Sequence, residues 1–226
     1  MLGTALDLTR MTAGTSTTLI YVHDPMCSWC WAFRPVWQQI HASLPDGLVT
    51  RRLLGGLAPD TDEPMPPQMR DAVSGYWRVI QHRVPGTRFN FDFWERNTPR
   101  RATYPACRAV IAAREQGEQF EEPMILAIQQ AYYLQARNPS EEPVLIDLAG
   151  ESGLDQQMFA RDLVSDRTRQ HLLNEITEGQ RMGVIGFPSL LLARDGVTRP
   201  LSYDYNDPTP VIEQLRDALG LRDCRP

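Results

Sequence analysis

The chain has 226 residues, enough for one large domain or for a domain carrying an insertion. Its 23 basic and 28 acidic residues leave a net charge of -5, which excludes a general affinity for nucleic acid or acidic membrane surfaces. No apolar run approaches the roughly 20 residues of a bilayer-spanning helix, and four cysteines in this length are too few for a disulfide scaffold.

Met1 to Arg10 lacks the basic start and the uninterrupted apolar stretch of about 7–15 residues that a secretory signal requires, so a cytoplasmic location is expected. Residues 1–16 read as a disordered tail, with Met11 as an alternative start. Thr17 to Val22 reads as a strand, His23-Asp24-Pro25-Met26 as a turn, and Trp31 to Ser43 as a helix. Between turn and helix lies Cys27-Ser28-Trp29-Cys30. Two thiols separated by two residues can close a disulfide or open to a thiolate nucleophile. At a helix N-terminus, unpaired N–H groups and the positive end of the dipole favour a negative sulfur on Cys27, and the thiolate is the attacking species in disulfide exchange. The rival reading is half of a zinc site, but zinc wants four ligands and neither Cys107 nor Cys224 supplies a second pair.

Leu48 to Leu54 makes a second strand, closed by Gly55-Gly56; strand, helix, strand implies a parallel pair with a right-handed crossover. From Pro59 to about Met182 almost nothing reads as strand. Helical patterns run instead over Pro66–Val84, Arg101–Gln116, Gln119–Arg137, Pro143–Glu151, Asp155–Leu163 and Arg167–Arg181, separated by Gly, Pro and Asn breaks. Cys107, on an apolar helix face with Val110 and Ile111, reads as a small core residue. Strand character resumes at Ser189–Ala193 and Thr198–Tyr203 around a tight Asp195-Gly196 turn. A last helix spans Thr209–Leu219, capped by Gly220, and Cys224 in the tail 221–226 reads as an incidental exposed thiol. The expected organisation is a discontinuous thioredoxin-fold domain, 17–57 and 184–220, interrupted by an all-helical insertion, 58–183.

Two segments carry a resemblance: Asp24-Pro25-Met26-Cys27-Ser28-Trp29-Cys30-Trp31 and, far downstream, Gly183-Val184-Ile185-Gly186-Phe187-Pro188-Ser189. The chain resembles the DsbA-like thiol–disulfide oxidoreductases of the thioredoxin superfamily, and within them the FrnE-like branch. The resemblance implies an α/β thioredoxin fold with a mixed sheet and flanking helices, Cys27 as nucleophile and Cys30 as resolving thiol. It implies a cis Phe187–Pro188 bond beside the disulfide, where an extended substrate segment pairs by strand addition. Phe187, Pro188, Trp29 and Met26 are then the substrate-binding residues. Protein or peptide disulfides are the expected partners, with glutathione as a candidate co-substrate and no cofactor or metal beyond the redox-active pair.

Two departures from better-known relatives bear on direction. Strongly oxidising members carry Pro-His between the cysteines where this chain has Ser28-Trp29, which weakens the expectation of an oxidase. Thioredoxins place a buried acid where this chain has Tyr21, leaving His23 and Asp24 as the candidates for proton handling. A cytosolic poise near or below about -220 mV favours reductase or isomerase work. Two alternatives stay open: a glutathione-dependent isomerase or transferase like the kappa-class transferases and hydroxychromene carboxylate isomerases, and a peptide-binding, chaperone-like module. The second thiol, Cys30, argues against the former; apolar Trp29 keeps the latter open.

Overall fold

The computed structural model describes residues 17–221; the expected N-terminal tail, Met11 and Cys224 lie outside the described residues. Four strands, β1 (Thr18–His23), β2 (Val49–Leu54), β3 (Ser189–Arg194) and β4 (Val197–Pro200), form a sheet in the order β2-β1-β3-β4. β1 runs parallel to β2 and antiparallel to β3, and β3 is antiparallel to β4. The parallel pair is joined through α1 (Ser28–Ala42), because a parallel connection needs a crossover element. This is the mixed sheet with flanking helices that the order of elements predicts.

The strand period of two sorts β1 between the faces of the sheet. Leu19 and Tyr21 pack with Leu190 and Leu192 against Phe33, Val36, Trp37 and Ile40 of α1 and against Val211 and Leu215 of α9 (Thr209–Leu219). Ile20 and Val22 face the other way, with Leu53 and Leu191. That side is covered by α8 (Asp166–Arg181), whose Glu175 accepts the Leu54 N–H at 2.7 Å and pairs with Arg114 at 2.9 Å. The β3–β4 turn puts Asp195 at φ 53° and Gly196 at φ 76°, the two positive values that a two-residue type I′ turn demands.

The remaining helices are α2 (Pro67–Arg83), α3 (Phe93–Arg96), α4 (Tyr104–Gln116), α5 (Glu121–Tyr133), α6 (Glu142–Glu151) and α7 (Gln156–Leu163). α4 is buried along Pro105 to Ala113, so its small side chains let neighbours close in on every side. Trp77 of α2 anchors an aromatic cluster with Phe89, Phe93, Trp94, Tyr132 and Tyr133.

Boundaries differ from the sequence expectation where local chemistry overrides period. α1 begins at Ser28, three positions before the apolar pattern, because Cys27 caps it. The helix expected over Gln119–Arg137 splits into a 3₁₀ turn, Glu118–Phe120, and α5, and Ala136 at φ 55° reverses the chain beyond it. The helix expected from Arg101 starts at Tyr104, with Pro105 in its first turn where a missing N–H costs nothing. α3 has too few residues to show a period. β4 stops at Pro200, after which the chain turns towards α1.

Candidate active site

Cys27 is the N-cap of α1: its backbone is extended, its N–H donates to the Asp24 carbonyl at 3.0 Å, and its carbonyl takes the first helical N–H, from Trp31, at 3.0 Å. Cys27 is 6% exposed and Cys30, one turn inside, 1%; both are free thiols. Burial first, then the neighbouring Cys27 sulfur, push the Cys30 thiol well above its ordinary range. Cys27 is the more exposed member of the pair. The Tyr21 hydroxyl, at the place where thioredoxins carry an acid, is raised well above its ordinary range by burial and then by the charges of Cys30 and Cys27.

The downstream segment comes to the same point. The Cys27 thiol lies 3.5 Å from the carbonyl oxygen of Phe187, and the Phe187–Pro188 peptide bond is cis. The Phe187 ring lies over Gly55, where a Cβ would come within 1.9 Å of it. On the other side the Tyr203 hydroxyl donates to the Pro188 carbonyl at 2.9 Å. Trp29 is half-buried, its ring 4.9 Å from that of Tyr205 and 5.8 Å below the Arg83 guanidinium. Trp29, Phe187, Arg83 and Tyr205 line a cleft of about 290 Å³ beside the thiol.

Two expected site residues lie elsewhere than the sequence suggests. Met26 is buried in the helical core, with its sulfur 4.0 Å from the Ser140 hydroxyl, so it does not present a surface to substrate. It sits there because the turn residues point inwards at the junction between sheet and insertion. His23 is 2% exposed, stacked on Tyr21 at 4.9 Å, and its Nε2 has no hydrogen-bond partner. Burial first, then Arg52, Arg114 and Arg34, lower it from 6.5 to about 3, so it carries no proton at neutral pH. It is a neutral core residue and a poor proton carrier.

Asp24 is fully buried and accepts from the N–H groups of Met26 at 2.8 Å and Leu57 at 2.7 Å, the Thr103 hydroxyl at 2.6 Å and the Cys107 thiol at 3.5 Å. Burial raises its carboxyl above the ordinary range, and these bonds oppose the rise. Cys107 is buried, as its apolar helix face predicts, and burial followed by the Asp24 charge holds its thiol in the protonated form. Among the described residues no cluster of three or more His, Cys, Asp or Glu is placed to hold a metal.

The two buried titrating groups act on stability with opposite signs. His23 is depressed when folded, so between 6.5 and about 3 the unfolded chain binds the extra proton and stability falls as pH falls, by about 1.4 kcal/mol per unit. Asp24 is raised, so its contribution is full below the ordinary carboxylate range and is lost as pH rises through its folded value. His23→Gln is therefore expected to flatten the loss of unfolding free energy from pH 6.5 to 4.5. Denaturant titrations at both pH values measure this, and a slope equal to that of the parent protein would exclude His23 as its cause.

Sequence reasoning missed Gly55, Tyr203, Tyr205 and Thr103. The Tyr-Asp-Tyr pattern after the last strand was visible, but nothing in its spacing placed it against the Cys27 loop.

A family model described as "Thioredoxin" matches residues 20–199. Among solved structures, a putative protein disulfide isomerase from Nitrosomonas europaea superposes with a TM-score of 0.78 at 27% identity, covering 92% of this chain and 99% of its own. The cytosolic disulfide reductase DsbM from Pseudomonas aeruginosa gives a TM-score of 0.74 at 28% identity, covering 91% and 100%; it has also been solved with GSH. Among curated proteins, the ClpXP adapter protein SpxH of Halalkalibacterium halodurans is 25% identical over 211 residues, which is 89% of this chain and 67% of that protein.

Proposed function

The chain belongs to the thioredoxin family, as a DsbA-like member, and from that premise we propose that it is a cytosolic thiol–disulfide oxidoreductase working through Cys27 and Cys30. The observation that carries this reading is the constellation around Cys27: the N-cap residue of α1, its thiol 3.5 Å from the Phe187 carbonyl, with the buried Cys30 thiol one helical turn behind it. No helix among the described residues is long and apolar enough to cross a membrane. The cytosolic location and the reducing direction are supported by the DsbM likeness and by Ser28-Trp29 between the cysteines.

The Cys27 thiolate attacks one sulfur of a protein, peptide or small-molecule disulfide. A Cys27–substrate disulfide forms and the other substrate sulfur leaves as a thiolate, which takes up a proton. Cys30 then loses its proton and attacks the Cys27 sulfur, closing the Cys27–Cys30 disulfide and expelling the second substrate thiol. Two electrons pass from the dithiol to the substrate. Two molecules of glutathione, or another dithiol, return them, leaving glutathione disulfide. Phe187 and Pro188 border the attacking sulfur and Trp29 floors the adjacent cleft, so these three are the proposed substrate contacts. Tyr21 and Asp24 are buried titratable groups that interact electrostatically with Cys30, and they are the proposed partners for its proton.

A second reading comes from the SpxH likeness, which spans most of this chain: an adapter that holds a protein partner without redox turnover. Equilibration in graded glutathione buffers, with alkylated thiols counted by mass, separates the two. The oxidoreductase reading expects one reversible two-electron couple between Cys27 and Cys30, nearer the roughly -270 mV of thioredoxin than the roughly -120 mV of strong oxidants. If the two thiols fail to titrate as a pair, the adapter reading takes its place.

A further inference from the structure

Tyr203 and Tyr205 lie in the stretch between β4 and α9, outside both segments that carry the family resemblance, yet both reach the site. Tyr203 donates its hydroxyl to the Pro188 carbonyl at 2.9 Å and packs its ring 4.9 Å from that of Phe33, a core residue of α1. Tyr205 lies 5.5 Å from Tyr203, edge to face. Its own ring sits 4.9 Å from Trp29. A continuous chain of contacts therefore runs from Trp29, between the cysteines, through two tyrosines to the carbonyl beside Phe187.

That carbonyl belongs to the peptide unit next to the one facing Cys27, so whatever fixes it also fixes the Phe187 oxygen that lies 3.5 Å from the sulfur. Pro188 is buried and lacks an N–H, so its loop is held through carbonyls alone at this point. The other anchors are weaker in kind. The Phe187 ring fills the space left open at Gly55, and the Ser189 hydroxyl closes a local turn onto the Gly186 carbonyl at 2.8 Å. Neighbouring Ile185 is fully exposed and holds nothing. Among these contacts, the Tyr203 hydroxyl is the one that ties the loop to α1 from a distance.

We propose that Tyr203, supported by Tyr205, is a positioning residue for extended substrates: it sets the Phe187–Pro188 backbone against Cys27 so that a peptide laid along the loop presents its disulfide to the sulfur. The inference rests on the oxidoreductase reading and deepens it by adding a residue, remote in sequence from both family segments, that sets the substrate loop. A pair of exchanging sulfurs alone needs no such support. A small disulfide reaches Cys27 without touching the loop backbone, whereas a peptide that pairs with it does so through main-chain groups whose spacing must be kept.

Tyr203→Phe removes only the hydroxyl and leaves the ring on Phe33. The two substrates to compare are a short peptide carrying one disulfide and hydroxyethyl disulfide, which has no peptide backbone. The expected result is a fall of about tenfold in kcat/KM for the peptide, carried mainly by a rise in KM, the size expected when one buried hydrogen bond that holds a binding surface is lost. Turnover of hydroxyethyl disulfide stays within about twofold, and the Cys27–Cys30 potential does not move. Tyr205→Leu, which removes the ring packed on Tyr203 and leaves the Pro188 bond in place, gives a smaller fall of about threefold with the same split, and it stands as the test should Tyr203→Phe not fold. An unchanged peptide KM, or an equal loss on both substrates, overturns the proposal. A parent protein inactive on both substrates would instead sink the oxidoreductase reading itself, so the two failures are told apart.

Discussion

Cys27→Ser is expected to lower disulfide exchange by at least about 10³-fold while leaving the fold unchanged. Serine matches the size of the thiol and keeps the N-cap, a position where a hydroxyl is favoured, so α1 loses nothing at its start. What disappears is the nucleophile, since a neutral hydroxyl does not attack a disulfide sulfur. Cys30→Ser is expected to behave differently. Cys27 still attacks, but nothing behind it can expel the substrate, so one equivalent of mixed disulfide accumulates on Cys27. Intact-mass measurement after exposure to a peptide disulfide reads both results. Exchange that survives in Cys27→Ser would refute the assigned nucleophile, and partner binding that survives in both variants without any exchange in the parent would speak for the adapter.

The second large effect concerns stability. Asp24→Ala is expected to cost about 3–5 kcal/mol of unfolding free energy, measured by denaturant titration at neutral pH. The side chain is fully buried, and four donors end on its two oxygens: Met26 on Oδ1, and Leu57, Thr103 and Cys107 on Oδ2. Truncation strands those donors in the interior, each at about 1–3 kcal/mol before relaxation. Asp24→Asn keeps one oxygen, and with that oxygen turned towards the three donors at Oδ2 only the Met26 N–H faces an amide. Its expected cost is about 1–2 kcal/mol. Should the alanine variant unfold at the same denaturant concentration as the parent, the carboxylate would not be the structural tie described above.

Much of the architecture was legible because it rests on local periodicity. The apolar run of β1, the Cys27 cap, the Asp195-Gly196 turn and the succession of helical patterns each sit within a few residues of sequence. The cysteine pair was legible for the same reason, whereas Pro188 was singled out by the family resemblance of its segment. The rest depended on contacts between distant segments. Thr103 gave no sign that its hydroxyl would reach Asp24, and Gly55 read only as the end of a strand, although the Phe187 ring occupies the space beside it. His23 read as a turn residue and a candidate proton carrier, whereas it closes β1 in the interior, with Arg52 of β2 and Arg114 of α4 opposing its charge. Met26 looked like a contact surface because apolar residues beside a reactive thiol suggest one, and the packing of Ser140 and the helical core against it was not encoded nearby.

The bonds that end on Asp24 also bear on modularity. Thr103 caps α4 and Cys107 lies one turn into it, so the helical insertion hands two donors directly to the loop that carries Cys27. The insertion is thus not an exchangeable cassette clipped onto a self-sufficient thioredoxin core. For protein engineering, the transplantable unit is the Asp24 loop together with α4, and chimaeras that cut between them would separate the reactive cysteine from the scaffold that fixes its approach.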